Sequence, residues 1–234
     1  MKRSQLKATA KYAFKHSLPI LVGFFPVGLA YGVLMQSAGY NFLWTGACCL
    51  FVFAGSLQFL MVTFLAGGVS IATVAIMALL LNSRHIFYGL PFIEKFHSFG
   101  GWKYFLIYSL TDENFSLHCS HDIPEDADEK GAYVLTALFT LIYWIVPSVL
   151  GALLGMVIPF DTTGIDFALT ALFITILLDI LKDAKNIFPA VIAFISSIVC
   201  LIIIGADNFI LPSLLITVCV LVLLRPRLGK EFES

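Results

Sequence analysis

The chain has 234 residues, of which 59% are hydrophobic and 12% are charged, and its formal net charge is −1. Soluble domains are about 45–50% apolar and about 25% charged, so this composition excludes a soluble globular fold. The near-neutral charge, with no basic face, excludes nucleic-acid binding, and we expect an integral membrane protein made of hydrophobic helices.

The first part of the chain predicts three membrane spans. A basic segment, residues 1–17, precedes an apolar run that leads directly into further spans without a cleavage site, so we interpret the run as a retained first helix rather than a signal peptide. No Asp, Glu, Lys or Arg lies between Lys15 and Arg84. At about 20 residues for each crossing, this stretch holds three spans, which we place at 18–37, 42–65 and 69–92.

Glycine and proline in these spans predict close packing and a helix break. Pro26 cannot donate to the backbone ladder, so we expect the first helix to kink or break near it. Gly23, Gly28 and Gly55 are expected to shape an apolar pocket beside this break. Two glycine pairs have the spacing of closely packed membrane helices, namely Gly28 with Gly32 and Gly151 with Gly155.

Residues 103–120 form the ambiguous segment, because Asp112 and Glu113 lie in the middle of an otherwise apolar run. An acidic loop, residues 121–130, follows it. Four further apolar stretches then predict the remaining spans, at 131–158, 164–181, 187–204 and 209–224.

The distribution of basic residues decides whether 103–120 crosses the membrane. Cytoplasmic loops carry an excess of Lys and Arg. If the segment crosses, most basic residues lie on the cytoplasmic side, with Lys95 and Lys103 outside; if it does not, every later loop changes side and the rule is inverted. We therefore predict an all-α polytopic membrane protein with about eight transmembrane helices, some of them kinked or discontinuous. Residues 1–234 would form one transporter domain with both termini in the cytoplasm.

The candidate site consists of polar groups deep in the spans. An isolated charge there costs roughly 2.5–3.5 kcal/mol on insertion scales, so Arg84, Asp112 and Glu113 are expected to have a function. We predict that Arg84 pairs with one carboxylate while the other binds a substrate ammonium or a proton. Four uncharged neighbours complete the predicted site, namely Asn82, Gln58, Asn114 and His85.

Less specific interpretations of the same residues remain open. Arg84 would extend its side chain to the membrane surface, while the acidic pair would cap a broken helix. Gln58 would make a structural hydrogen bond between helices. His118 and His121 share a helical face, but no further ligand spacing accompanies them, so we expect no metal site. We also expect no cofactor and no enzyme activity, because nucleotide-binding, zinc-protease and hydrolase motifs are all missing from the sequence.

Four short segments in order resemble the AzlC family, the large subunit of bipartite branched-chain amino acid exporters. They are Pro19 with residues 23–28, residues 53–59, residues 82–85 with Tyr88 and Gly89, and residues 110–115. The resemblance implies export of leucine, isoleucine, valine and methionine across a bacterial inner (plasma) membrane. It also implies a small, separately encoded AzlD-like membrane subunit as partner, but it does not fix the substrate.

These observations give a first hypothesis, a proton-coupled secondary transporter whose site lies between the first four spans. Arg84, or a helix N-terminus freed near Pro26, would bind the substrate carboxylate. Asp112 or Glu113 would bind its ammonium group, and the other would carry the coupling proton. Three alternatives are a membrane-embedded enzyme that uses the acidic pair as acid and base, a scaffold for a partner subunit, and a transporter of another small molecule.

Overall fold

The computed structural model describes residues 3–157, 187–205 and 209–228, together with Ile174 and Leu181. These residues form helices and connecting turns, without a strand among them, which confirms the all-α prediction for this part of the chain. The chain divides into two compact units, Met1–Leu169 and Thr170–Ser234.

The helices are numbered here in chain order. The first unit contains α1 (Arg3–Ser37), α2 (Phe42–Phe51), α3 (Gly55–Gly67), α4 (Ile71–Asn82), α5 (Arg84–Tyr88), a 3₁₀ turn (Leu90–Phe92), α6 (Ile93–Ser98), α7 (Trp102–Tyr108), α8 (Asp112–Cys119) and α9 (Glu129–Val157). The second unit contains α10 (Phe188–Ile204) and α11 (Ile210–Leu228), which pack against each other. These two helices lie where spans were predicted, whereas the predicted span 164–181 lies outside the described residues apart from Ile174 and Leu181.

Two of the described helices are long and apolar enough to cross a bilayer. They are the part of α1 from Gln5 to Ser37, with 33 residues, and α9, with 29 residues. The apolar segments of the other described helices have only 10–17 residues, short of the roughly 20 that a perpendicular crossing requires. Helix length alone therefore supports two crossings, and the eight-span arrangement stays a prediction.

The expected break near Pro26 is wrong. Helix α1 is continuous through both of its prolines, Pro19 and Pro26, and α9 is likewise continuous through Pro147. A proline inside a helix removes one backbone hydrogen bond, and here α9 packs along α1. The packing of two long helices outweighs this local defect.

Glycines bring the backbones of α1 and α9 into direct contact. A Cβ atom on Gly32 would overlap the carbonyl oxygen of Ser148, and one on Gly151 would overlap the carbonyl oxygen of Leu29. A Cβ on Gly28 would lie 3.0 Å from the Pro147 side chain. The prediction of close glycine packing is confirmed, but α9 fills the space beside Gly28 where a pocket was expected.

Contacts along this pair of helices show that they run parallel. The Ser17 hydroxyl lies 3.3 Å from the Tyr143 hydroxyl. Towards the C-terminal ends, the Gln36 side chain would lie 3.2 Å from a Cβ on Gly155. The residue numbers on both helices thus rise in the same direction, and the chain between them must return to the level at which α1 began.

Discontinuities do occur, in the second, third and fourth predicted spans. The second divides between α2 and α3, where buried Phe53 has a φ of 38°, a left-handed conformation that is rare for a bulky side chain. The third divides at Ser83, between α4 and α5. The fourth, 103–120, divides between α7 and α8. Discontinuous helices were predicted and are present, but their interruptions lie at positions where the chain has no proline.

Candidate functional site

The two acidic residues of the predicted site form the first turn of α8. Thr111 caps this helix, and its Oγ1 accepts a hydrogen bond from the backbone N–H of Asn114 at 3.4 Å. Asp112 and Glu113 follow and are half-buried. The first turn of a helix has unpaired N–H groups and the positive end of the helix dipole. The break therefore creates the local environment that tolerates two carboxylates in an apolar segment.

A tyrosine connects this helix start to α5. The Tyr88 hydroxyl donates a hydrogen bond to Oδ1 of Asp112, and the His85 ring lies 5.5 Å from the Tyr88 ring. Asp112 and His85 therefore both contact Tyr88. Arg84 is the first residue of α5, but its side chain lies outside the described part of the structure, and its pairing with a carboxylate stays a prediction.

Asn114 holds the break together. Its side chain is fully buried, and its Nδ2 donates to the carbonyl oxygen of Ser109 at 2.6 Å. Its Oδ1 accepts from the Thr140 hydroxyl of α9 at 2.9 Å. The amide thus satisfies a carbonyl released by the break and fixes α8 to the long helix. This geometry suits a positioning role rather than direct contact with a substrate.

The breaks of the second and fourth spans lie side by side. The Tyr108 hydroxyl, at the end of α7, donates to the carbonyl oxygen of Leu50 in the last turn of α2. The rings of Phe53 and Tyr108 are 6.0 Å apart. Carbonyl groups in the last turn of a helix have no partner within the helix, so this tyrosine satisfies one of them. Two short interruptions are thereby brought next to the start of α8.

Gln58 lies in a separate polar cluster against α9. The residue is fully buried; its Oε1 accepts from the Trp144 indole N–H at 2.9 Å, and its Nε2 donates to Sγ of Cys49 at 3.5 Å. This is the hydrogen bond between helices that was one of the two interpretations of Gln58. A Cβ on Gly55 would lie 3.7 Å from the Trp144 ring, so Gly55 faces this cluster.

An unsatisfied hydroxyl lies in the same cluster. Tyr31 of α1 is fully buried, with its ring 5.9 Å from that of Trp144 and 5.4 Å from that of Phe59. Its hydroxyl has no hydrogen-bond partner in the described part of the chain. Buried polar groups normally have partners, and the polar side chains that interact with this hydroxyl, without a well-formed hydrogen bond, are those of Gln58 and Cys48.

A cavity of about 460 Å³ lies between α5, the 3₁₀ turn, α6 and α7. Its volume is in the range of small-molecule sites, roughly 300–1,000 Å³. The lining is mainly aliphatic and aromatic, with three basic side chains, and consists of His85, Ile86, Gly89, Leu90, Ile93, Phe96, His97, Lys103, Ile107 and Leu110. This cavity lies away from Gly23, Gly28 and Gly55. Because α9 and Trp144 lie beside Gly28 and Gly55, a pocket at these glycines stays a prediction.

Two rows of side chains pack together beside this cavity. The first row runs from α5 to α6 and consists of Tyr88, Phe92 and Phe96. The second row lies on α8 and consists of Asp112, Phe115 and His118. The ring of Phe115 lies 4.7 Å from that of Tyr88 and 6.0 Å from that of Phe92. The ring of His118 lies 5.8 Å from that of Phe92 and 5.9 Å from that of Phe96. Asp112 and His118 therefore face the same aromatic row.

The remaining predicted residues lie outside these contacts. Asn82 is the half-buried last residue of α4. A Cβ on Gly23 would have no atom within 4 Å, so this glycine faces open space. Four side chains that hold the polar groups were not predicted from the sequence, namely Tyr88, Tyr108, Thr140 and Trp144. Their signal was available in principle, since the polar end of a buried Tyr or Trp usually requires a partner.

Comparison with known proteins identifies related chains. The sequence profile of the AzlC protein family matches residues 19–158. The branched-chain amino acid transport protein AzlC of Bacillus subtilis is 33% identical over 233 residues, 100% of this chain and 92% of the relative. An uncharacterized membrane protein of Haemophilus influenzae is 32% identical, covering 96% and 93% of the two chains.

A more distant similarity links the chain to the inner membrane protein YgaZ of Escherichia coli, which is 26% identical over 183 residues, 73% of each chain. No solved structure matches. The family profile covers more than half of the chain, and the Bacillus relative is matched along the whole of it. This chain belongs to the AzlC family.

Proposed function

We propose that this chain is the transport subunit of a proton-coupled, secondary-active exporter of branched-chain amino acids in a bacterial inner membrane. Leucine, isoleucine and valine are the proposed substrates, with methionine as a further one. The single observation that carries the proposal is the pair of adjacent helix breaks beside half-buried Asp112, in a relative of a branched-chain amino acid transport protein. Broken helices are typical of transporter binding sites.

Each group of a zwitterionic amino acid has a complementary partner in this proposal. The carboxylate of Asp112 or Glu113 binds the ammonium group, and the other acid carries the coupling proton. The substrate carboxylate binds Arg84 or the N-terminus of α3, where Ala54 provides no side-chain cap. A helix N-terminus near Pro26 was expected to bind the substrate carboxylate, and in this proposal the N-terminus of α3 replaces it. Ile86, Ile93 and Leu110 of the cavity contact the aliphatic side chain.

The parallel arrangement of α1 and α9 supports the eight-span arrangement. If both helices cross the membrane in the same direction, the chain between them must cross an odd number of times. Spans 42–65, 69–92 and 103–120 supply three crossings, whereas omission of 103–120 leaves two and would make α1 and α9 antiparallel. We therefore propose that 103–120 crosses as the broken pair α7 and α8, with both termini and the acidic loop in the cytoplasm.

The proposed complex contains a small AzlD-like membrane subunit, and the test includes it. Bacterial cells lacking their own exporters are loaded with labelled leucine and express this chain with or without the small subunit. Efflux is expected to accelerate at least fivefold with both proteins, and to be slowed by dissipation of the proton gradient. A complex present in the membrane that accelerates efflux of none of the four amino acids would contradict the proposal.

A further inference from the structure

Three of the five histidines of the chain gather at one end of α1 and α9. The rings of His16 and His121 stack 4.7 Å apart, and those of His118 and His121 lie 5.3 Å apart. Tyr133 of α9 closes the group, with its ring 4.4 Å from that of His121. The proposed substrate site uses none of these residues, although α8 holds both His118 and Asp112.

Hydrogen bonds connect two of these histidines, His121 and His118, in a line with Tyr12. The backbone N–H of Asp122 donates to the Tyr12 hydroxyl at 3.0 Å, and that hydroxyl lies 3.0 Å from Nδ1 of His121. Nε2 of His121 lies 3.2 Å from Nδ1 of His118. The line begins at exposed Asp122 and ends at buried His118.

The inner end of the line is open. Nε2 of His118 is buried and has no hydrogen-bond partner in the described part of the chain. By contrast, His16 bonds the carbonyl oxygen of Leu117 through its Nε2 at 3.0 Å. His16 is therefore a stacking neighbour of the line rather than a member of it.

We propose that Tyr12, His121 and His118 form a proton relay that connects the carboxylates of α8 with the cytoplasmic surface. The inference rests on the proposed function and adds to it the route by which the coupling proton leaves. In each half-cycle, one proton enters at His118 Nε2 and one leaves the Tyr12 hydroxyl to water.

The number of protons in the relay is the same before and after each transfer. A proton from the carboxylate site binds Nε2 of His118, and the proton on its Nδ1 transfers to Nε2 of His121. The proton on Nδ1 of His121 then transfers to the Tyr12 oxygen, and the original hydroxyl proton passes to solvent. The observed distances suit both the starting and the final tautomers. Before the next proton passes, each ring must return to its starting tautomer by releasing the Nε2 proton to water and taking up one proton from water at Nδ1. This exchange involves no net gain or loss of protons, and the hydroxyl then rotates back.

The proposed route between the carboxylates and His118 passes along the cavity, whose lining includes neighbours of both but neither Asp112 nor His118 itself. His118 follows Asp112 by six residues, about 9 Å along the helix axis at 1.5 Å per residue. Phe96, which contacts His118, lines the cavity, and so does His85, which contacts Tyr88. A water molecule takes about 30 Å³ in the liquid, so a volume of about 460 Å³ holds a connected chain once the substrate has left.

The surroundings of His121 favour passing a proton on rather than holding it on the ring. Burial, together with the nearby His16 ring, lowers the pKa of His121 to about 4, so its imidazole is neutral at physiological pH. The ionisable groups that interact with Tyr12, His121 and Tyr133 are His16, Lys95, His118, Cys119, Asp122 and Glu129. Asp122 lies at the outer end of the line, and Glu125 and Asp126 are further exposed acids of the same loop, so the loop attracts protons.

The test separates proton movement from substrate movement. The complete complex is reconstituted in liposomes with a pH-sensitive dye, and two activities are measured, namely leucine transport driven by a pH gradient and exchange of labelled for unlabelled leucine without a gradient. His118→Gln, His121→Gln and Tyr12→Phe are expected to lower gradient-driven transport and its proton flux at least tenfold. Exchange is expected to stay within twofold of the wild type, because it requires no net proton transfer.

Thr9→Val is the matched control. Thr9 binds the same loop, through a 2.8 Å hydrogen bond from the Asp128 N–H to its hydroxyl, but it is not part of the relay. This variant is expected to retain both activities. The relay is overturned if the two histidine variants keep proton-driven transport, if exchange falls in parallel with it, or if Thr9→Val has the same effect. A wild-type complex that exchanges no leucine would overturn the proposed function, and the relay with it.

Discussion

The Tyr108 hydroxyl donates a hydrogen bond to the carbonyl oxygen of Leu50, and this contact joins the interruptions of two predicted spans. Tyr108 ends α7, just before α8 begins with its two acids, and Leu50 lies in the last turn of α2. The two interruptions are therefore in direct contact through this bond.

Tyr108→Phe tests this connection. Loss of one such bond is expected to lower the free energy of unfolding by only about 1 kcal/mol, because the carbonyl of Leu50 is partly accessible. Leucine efflux is expected to fall several-fold, since the two breaks lose their alignment. Tyr104→Phe is the control, because Tyr104 is an exposed tyrosine on the same helix. Equal efflux by the two variants would show that the bond has no part in transport.

The acidic pair is the next target. Asp112→Asn keeps the size of the side chain and a hydrogen-bond acceptor for Tyr88 but removes the charge, so we expect efflux to fall at least tenfold while the protein remains folded. Tyr88→Phe leaves the carboxylate in place and is expected to have a smaller effect. Efflux and its pH dependence are measured for these variants and for Glu113→Gln. Unchanged behaviour after loss of both acids would end the coupling hypothesis.

Gly151→Leu tests the contact between α1 and α9. Its side chain would have to displace the backbone at Leu29, and overpacking of this kind costs about 1–3 kcal/mol or more. We expect a lower unfolding temperature in detergent and less protein in the membrane. Gly23→Ala on α1 adds a Cβ into open space, so it should fold like the wild type. A stable Gly151→Leu protein would contradict the described packing.

The pH dependence of stability reports on His121. Its pKa is lowered to about 4 in the folded protein, against about 6.5 in an unfolded chain. The neutral imidazole therefore stabilises the fold fully above pH 6.5, and this contribution is lost as the pH falls from 6.5 towards 4. Thermal unfolding in detergent is expected to show a steeper loss of stability over this interval in the wild type than in His121→Gln. Parallel curves would refute the assignment.

The sequence allowed some parts of this structure to be predicted, for identifiable reasons. Composition alone determined the helical membrane class, and the position of Asp112 and Glu113 within an apolar run indicated an unusual segment. The prediction for Pro26 failed because local helix propensity was considered without the packing of α9. The interruption at Phe53 contains no proline, and its left-handed backbone is held by tertiary contacts.

The partners of the site residues could not be derived from a single sequence. Tyr88 with Asp112, Tyr108 with Leu50 and Trp144 with Gln58 are each separated by many residues in the chain. Such pairs depend on how helices are placed relative to one another, and the apolar spans contain little information about that placement. Only the spacing of the glycines predicted a contact between helices, because a residue without a side chain marks a place where two backbones can approach.

The backbone contact at Gly32 and Gly151 limits how the protein can move. Each glycine lies directly against a carbonyl oxygen of the other helix. The two long helices therefore cannot slide or rotate past each other without a steric clash, and we expect them to move as one rigid unit. Any alternation between inward-open and outward-open forms must then come from the short segments around it, whose interruptions act as joints. If this chain transports by the proposed mechanism, we expect its short, interrupted helices to move against α1 and α9.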